Sequence, residues 1–128
     1  MARLLVIEDD QLVWPAITQM LESAGHQVAT AADGEAGLAY FRRTPVDLVI
    51  CDIFMPNKSG IATLKALREI SGSLPIIVMS GGARSGSIPK SEFVDYLEMA
   101  KMLGATATIS KPFKAADLLE AVNKALPA

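Results

Sequence analysis

Cysteine, aromatic residues and basic charge are all scarce in this chain. Cys51 is the only cysteine, so no intramolecular disulfide can form and a reducing compartment fits. Aromatic residues make up 5% of the 128 positions while 51% are apolar, which predicts an aliphatic core. The formal net charge is −2, without the basic excess of a nucleic-acid-binding module. No apolar run approaches membrane-spanning length. The start, Met1-Ala2-Arg3-Leu4, has no signal-peptide pattern. These absences predict a cytoplasmic protein that engages neither nucleic acid nor membrane. The length suits one domain with its own core, residues 1–128, and no output domain is expected.

What the chain does contain is a repeated alternation of short apolar runs with helical patterns. Leu4-Leu5-Val6-Ile7 reads as a strand ending on Glu8-Asp9-Asp10. A helical face of Val13, Ile17, Met20 and Leu21 follows, with Asp10 as a candidate N-cap, Pro15 tolerable only in the first turn, and Gly25 as the stop. Gln27 to Ala31 is a second strand. Asp33-Gly34 opens a helix carrying Ala36, Leu38, Ala39 and Phe41. Val46 to Cys51 is the most apolar run and ends abruptly on Asp52. Runs of this kind suit the middle of a parallel sheet covered on both faces.

Beyond Asp52 lies the loop Phe54-Met55-Pro56-Asn57-Lys58. Ser59 can cap a helix with the face Ile61, Leu64 and Leu67. Pro75 to Met79 is a fourth strand, ending on Ser80, and a polar loop with Gly81, Gly82 and Gly86 follows it. Ser91 can cap a helix bearing Phe93, Val94, Leu97, Ala100 and Leu103, stopped by Gly104. Thr106 to Ser110 is a fifth strand, followed by Lys111-Pro112-Phe113 and a last helix with Leu118, Leu119, Val122 and Leu126. Five strands alternating with five helices predict an α/β fold, a doubly wound parallel sheet with helices on both faces.

In such a sheet the carboxyl ends of the strands share one edge, where ligands bind. Glu8 and Asp9, Asp52, Ser80 and Lys111 all fall at strand ends. Three converging carboxylates repel one another, so the site should hold protons or recruit a cation. A hard ion such as Mg²⁺ suits carboxylates together with phosphate oxygens. Carboxylate, Mg²⁺, lysine and hydroxyl are the parts needed to place a phosphoryl group on an aspartate.

These residues, with Met55-Pro56, Gly60 and Lys111-Pro112-Phe113, in order and at this spacing, resemble a two-component response-regulator receiver domain over the whole chain. The resemblance implies the flavodoxin-like sheet of strand order 2-1-3-4-5. It implies that Asp52 is the phosphoacceptor, and that Glu8, Asp9, Asp52 and the backbone carbonyl of Phe54 hold Mg²⁺. It implies that Ser80 and Lys111 contact the phosphoryl group. The partners implied are a histidine kinase or histidine phosphotransfer protein as donor, and a downstream protein that reads a surface around the fourth helix. No turnover of an external substrate is implied beyond phosphorylation and dephosphorylation of the domain itself.

Three features depart from the family pattern. Thr108 stands where many members carry a switch Tyr or Phe, the stretch from Ser80 to Lys111 is long, and Gly81 replaces the usual small Ala. Two other readings compete. A Mg²⁺-dependent phosphohydrolase of the haloacid dehalogenase type also uses an aspartate after a strand, but wants a second acid two residues on, where Phe54 stands. A degenerate receiver would serve only for docking, and the full acid, hydroxyl and lysine set counts against it. Cys51 reads as a small buried hydrophobe and His26 as a surface residue far from the acidic cluster.

Overall fold

The computed structural model describes residues 2–53, 60–80, 98–111 and 113–127. In chain order the elements are β1 (Arg3–Ile7), α1 (Val13–Ser23), β2 (Gln27–Ala31), α2 (Gly34–Arg43), β3 (Leu48–Asp52), α3 (Gly60–Ile70) and β4 (Ile76–Ser80). Residues 98–102 are helical (α4), and β5 (Ala107–Ser110) and α5 (Ala115–Ala125) complete the chain. The strands form one sheet in the order β2-β1-β3-β4-β5, and every pairing is parallel.

Every residue of β3 and β4 is buried, because helices cover both faces of the sheet centre. Side chains alternate along each strand and so divide between two cores. Leu5, Ile7, Val49, Cys51, Ile76 and Val78 pack on the side of α2, α3 and α4. Leu4, Val6, Leu48, Ile50, Ile77 and Met79 pack on the side of α1 and α5, against Ile17, Leu21, Leu118 and Val122.

Helix boundaries follow local chemistry. Asp33 caps α2, its Oδ1 accepting from the Ala36 N–H at 2.8 Å. Asp10 is not the N-cap itself but lies two residues before it. Its Oδ1 accepts from the Leu12 N–H at 2.8 Å and its carbonyl from the N–H groups of Val13 and Trp14, while Leu12 itself stands at the cap. Pro15 is the third residue of α1, where its missing N–H breaks no helical hydrogen bond. Gly25 and Gly104 carry positive φ just after α1 and α4, the backbone that ends helices and that glycine adopts without steric cost.

The buried face of α2 differs from the sequence expectation. Ala36 and Ala39 are exposed, and Gly34, Gly37 and Leu38 are buried. A Cβ at Gly37 would overlap the side chain of Ile7. Glycine therefore lets α2 approach β1 closely, a contact that hydrophobic periodicity does not register. The strand starts at Val46, Pro75 and Thr106 move inward to Leu48, Ile76 and Ala107. Asp47 lies ahead of β3, its carboxylate accepting from the Arg3 N–H at 2.8 Å. The expected caps Ser59 and Ser91 and the residues Phe93, Val94 and Leu97 lie outside the described residues.

Candidate functional site

Strand alternation decides which side chains meet at the carboxyl edge. Glu8 continues the Leu4–Val6 side of β1, Asp52 the Leu48–Ile50 side of β3, and Lys111 the Ala107–Ile109 side of β5. All three therefore aim at the same face. The structure brings them into contact. The Lys111 ammonium donates to Glu8 Oε1 and to Asp52 Oδ2 at 3.2 Å. Both carboxylates are nearly inaccessible to solvent, and the lysine side chain is 10% exposed. The second oxygen of Glu8, Oε2, accepts from the Asp10 N–H at 3.1 Å. Asp10 thus holds Glu8 in place, a role the run of three acids signalled only as a general excess of charge.

Asp9 lies at the exposed rim. One carboxylate oxygen each from Glu8, Asp9 and Asp52 lie within 4.8 Å of one another. An octahedral Mg²⁺ with ligands at about 2.1 Å spaces oxygens about 3–4 Å apart, so a small inward movement would complete a cation site. The titration of Glu8 and Asp9 agrees with that donor set. Burial pushes the Glu8 carboxyl up, and the Asp52 charge adds to this, against the opposing pull of Lys111. Partial desolvation raises Asp9, assisted by its hydrogen bond to Glu8. Carboxylates held above their ordinary range by burial, with neighbouring charge adding to it, are ones a cation relieves.

Ser80 lies on β4, the strand beside β3, where Asp52 is in register with Met79. It ends the strand from within and pairs with Ser110 of β5. Its side chain is fully buried, yet among the described residues its Oγ has no hydrogen-bond partner. A buried hydroxyl left unpaired is costly and calls for an explanation. An incoming group rich in acceptor oxygens would satisfy it.

Gly60 opens α3 directly behind this edge. Its N–H donates to the Ile53 carbonyl at 3.1 Å. A Cβ there would overlap the carbonyl oxygen of Asp52 and the Cα of Ile53. The helix start can press on the backbone of Asp52 only because residue 60 lacks a side chain. Cys51 is buried on the opposite side of β3 from Asp52, and burial pushes its thiol far up, so it behaves as a small apolar residue. His26 sits at the other end of the sheet, where its Nδ1 accepts from the Ala2 N–H at 3.2 Å. Thr108 is half-buried on β5 opposite Val78. Phe54, with its backbone carbonyl, and Gly81, Gly82 and Gly86 lie outside the described residues.

Comparison with known proteins identifies the family. The model of the response regulator receiver domain matches residues 4–123. The transcriptional regulatory protein DltR of Streptococcus agalactiae is 38% identical over 121 residues, covering 94% of this chain and 50% of DltR. The chain spans about half the length of the curated relatives it matches. A response regulator receiver domain protein from Clostridium thermocellum superposes with a TM-score of 0.86 at 31% identity, covering 98% of this chain and 94% of that one. The chemotaxis protein CheY4 of Vibrio cholerae gives 0.83 at 29% identity, covering 98% and 99%. The sheet order, the acidic edge and the match over residues 4–123 together place this chain in the response-regulator receiver-domain family of two-component systems.

Proposed function

We propose that this chain is a phosphorylation switch in which Asp52 accepts a phosphoryl group from a phosphohistidine on a histidine kinase or histidine phosphotransfer protein. The observation that carries this reading is the buried Asp52 carboxylate. It is paired with Lys111 and lies one strand from a buried hydroxyl, Ser80, that has no hydrogen-bond partner among the described residues. An oxygen of Asp52 attacks phosphorus, the phosphorus–nitrogen bond to the donor imidazole breaks, and an acyl phosphate remains on Asp52. Lys111 neutralises charge on the phosphoryl oxygens, and the Ser80 hydroxyl donates to one of them.

Glu8, Asp9 and Asp52, with the Phe54 carbonyl, are the residues that would hold Mg²⁺. When bound, the ion supplies Lewis-acid neutralisation of the phosphoryl oxygens. Phosphorylation adds charge and strong acceptors at one sheet edge. Ser80 ends β4, so its movement toward the phosphoryl group is passed to the segment that follows and shifts a two-state equilibrium there. Met99 and Met102 of α4 are 46% and 85% exposed, and such side chains suit an adaptable protein-binding surface. We assign the readout to protein contact around that helix, within residues 1–128 acting as one receiver unit in the cytoplasm. Among the described residues no helix is long and apolar enough to cross a membrane.

A phosphohydrolase would need a general acid two residues after Asp52, and Phe54 offers none. The deciding experiment is incubation with acetyl phosphate and Mg²⁺ followed by intact-mass measurement. The wild-type protein should gain one phosphoryl group and Asp52→Asn none. A wild-type-like gain in that variant would place the acceptor elsewhere.

A further inference from the structure

Arg68 stands in the last turn of α3, and its guanidinium reaches from that helix to the end of another. Nε and Nη2 both donate to the Gly104 carbonyl, at 3.2 and 2.7 Å, and Nη1 donates to the Ser71 carbonyl just past α3, at 3.1 Å. Among the described residues no carboxylate pairs with it. One cation thus serves two helix C-termini, where carbonyls lack helical partners and the macrodipole is negative.

The end of α4 is shaped to receive it. The Ala105 N–H donates to the Ala100 carbonyl at 3.0 Å and the Gly104 N–H to the Lys101 carbonyl at 3.1 Å. These are the paired bonds of a Schellman cap, with glycine in the left-handed position. The guanidinium takes the carbonyl of that glycine. A Cβ at Gly104 would lie 2.9 Å from Arg68 Nε, so glycine both makes the turn and leaves room for the arginine.

Arg68 has a firm base. α3 buries Thr63, Leu64 and Leu67, and its start is seated through Gly60 on the backbone of Asp52 and Ile53. α4 has less to hold it. Among its described residues Ala100 alone is buried, and Met99 and Met102 are exposed.

We propose that Arg68 is a positioning residue that clamps the C-terminal end of α4 to α3, so that a movement begun at Ser80 works against a fixed end. The proposal rests on the reading that phosphorylation acts through the chain that follows Ser80. With Gly104 held, the rearrangement is confined between Ser80 and Met102 and is expressed on the α4 surface. Without the clamp, it runs on through Gly104 and Ala105 toward β5.

The test is amide hydrogen exchange, read residue by residue by NMR, on the wild-type protein, Arg68→Met and Lys65→Met. Each is measured with Mg²⁺ alone and with Mg²⁺ and beryllofluoride, which stands in for the phosphoryl group. Lys65 is exposed on the same helix, so its replacement removes the same unit charge without touching Gly104. In wild type and Lys65→Met, beryllofluoride should change exchange at Leu103, Gly104 and Ala105 by no more than about twofold, while amides between Ser80 and Met102 respond. In Arg68→Met those three amides should exchange about tenfold faster or more, and their rates should now depend on beryllofluoride.

Faster exchange that beryllofluoride does not alter would reduce Arg68 to a stabilising contact, and unchanged exchange would show that it holds nothing. Either result overturns the proposal. The wild-type arm needs no folded variant: a beryllofluoride response at residues 103–105 there means that the end is not fixed. In each of these cases a response elsewhere in the wild-type protein leaves the phosphorylation reading standing. No response at any wild-type residue would overturn that reading and the clamp with it.

Discussion

Ser80→Ala removes a hydroxyl that is fully buried and has no hydrogen-bond partner among the described residues. Burying an unsatisfied hydroxyl costs about 1–3 kcal/mol. Alanine leaves a void of roughly 10–15 Å³, which at ~24 cal/mol per Å³ costs about 0.3 kcal/mol. The balance favours the variant by about 1–2 kcal/mol, which for a domain of this size raises the melting temperature by roughly 4–8 °C. The same substitution deletes the donor assigned to the phosphoryl group. Beryllofluoride with Mg²⁺, a phosphoryl mimic, should therefore stabilise the wild-type protein more than the variant. Urea denaturation of both proteins, with and without the mimic, separates the two effects. A variant less stable than wild type by about 1 kcal/mol or more would show that the hydroxyl already has a partner. Equal stabilisation by the mimic would show that Ser80 does not reach the phosphoryl group.

Gly60→Ala should destabilise the fold by about 2–3 kcal/mol, because the added carbon meets the Asp52–Ile53 backbone rather than a side chain that can turn away; a urea midpoint unchanged from wild type would contradict the close contact. Mg²⁺ at tenfold over its dissociation constant should stabilise the wild-type protein by about 1.4 kcal/mol, read as a rise in melting temperature that the Asp52→Asn, Glu8→Gln double variant lacks. The folded-state pKa of Glu8 is raised above the ordinary 4.5, so the native state binds more protons than the unfolded state in the interval above 4.5. Its contribution to stability is therefore present at low pH and lost as pH rises from 4.5 through the raised value. Glu8→Gln should flatten the fall in urea midpoint over that interval, and an unchanged slope would show that Glu8 is not the group responsible.

Hydrophobic patterning and strand-terminal chemistry determined much of this protein before any tertiary contact was considered. Apolar runs of β-branched residues, each followed by a helical pattern, specify a parallel sheet covered on both faces, and that sheet places Glu8, Asp9, Asp52, Ser80 and Lys111 on one edge. The order of the strands is not contained in periodicity. It entered through the family resemblance, and the structure has it as β2-β1-β3-β4-β5.

Tertiary structure alone decided the contacts in which spacing in the chain and distance in space part company. Gly37 and Gly60 face other elements for want of a side chain, and a search for apolar faces passes over glycine. Lys111 bonds to Glu8 across 103 positions of sequence, because alternation along β1, β3 and β5 puts three side chains on one face. Ser80, one strand away, is buried without a hydrogen-bond partner among the described residues. Residue type alone could nominate that hydroxyl, but its unpaired state is a property of the packing around it. Sequence supplies the chemical groups at the edge, and the sheet, by fixing which face each side chain takes, decides which of them meet.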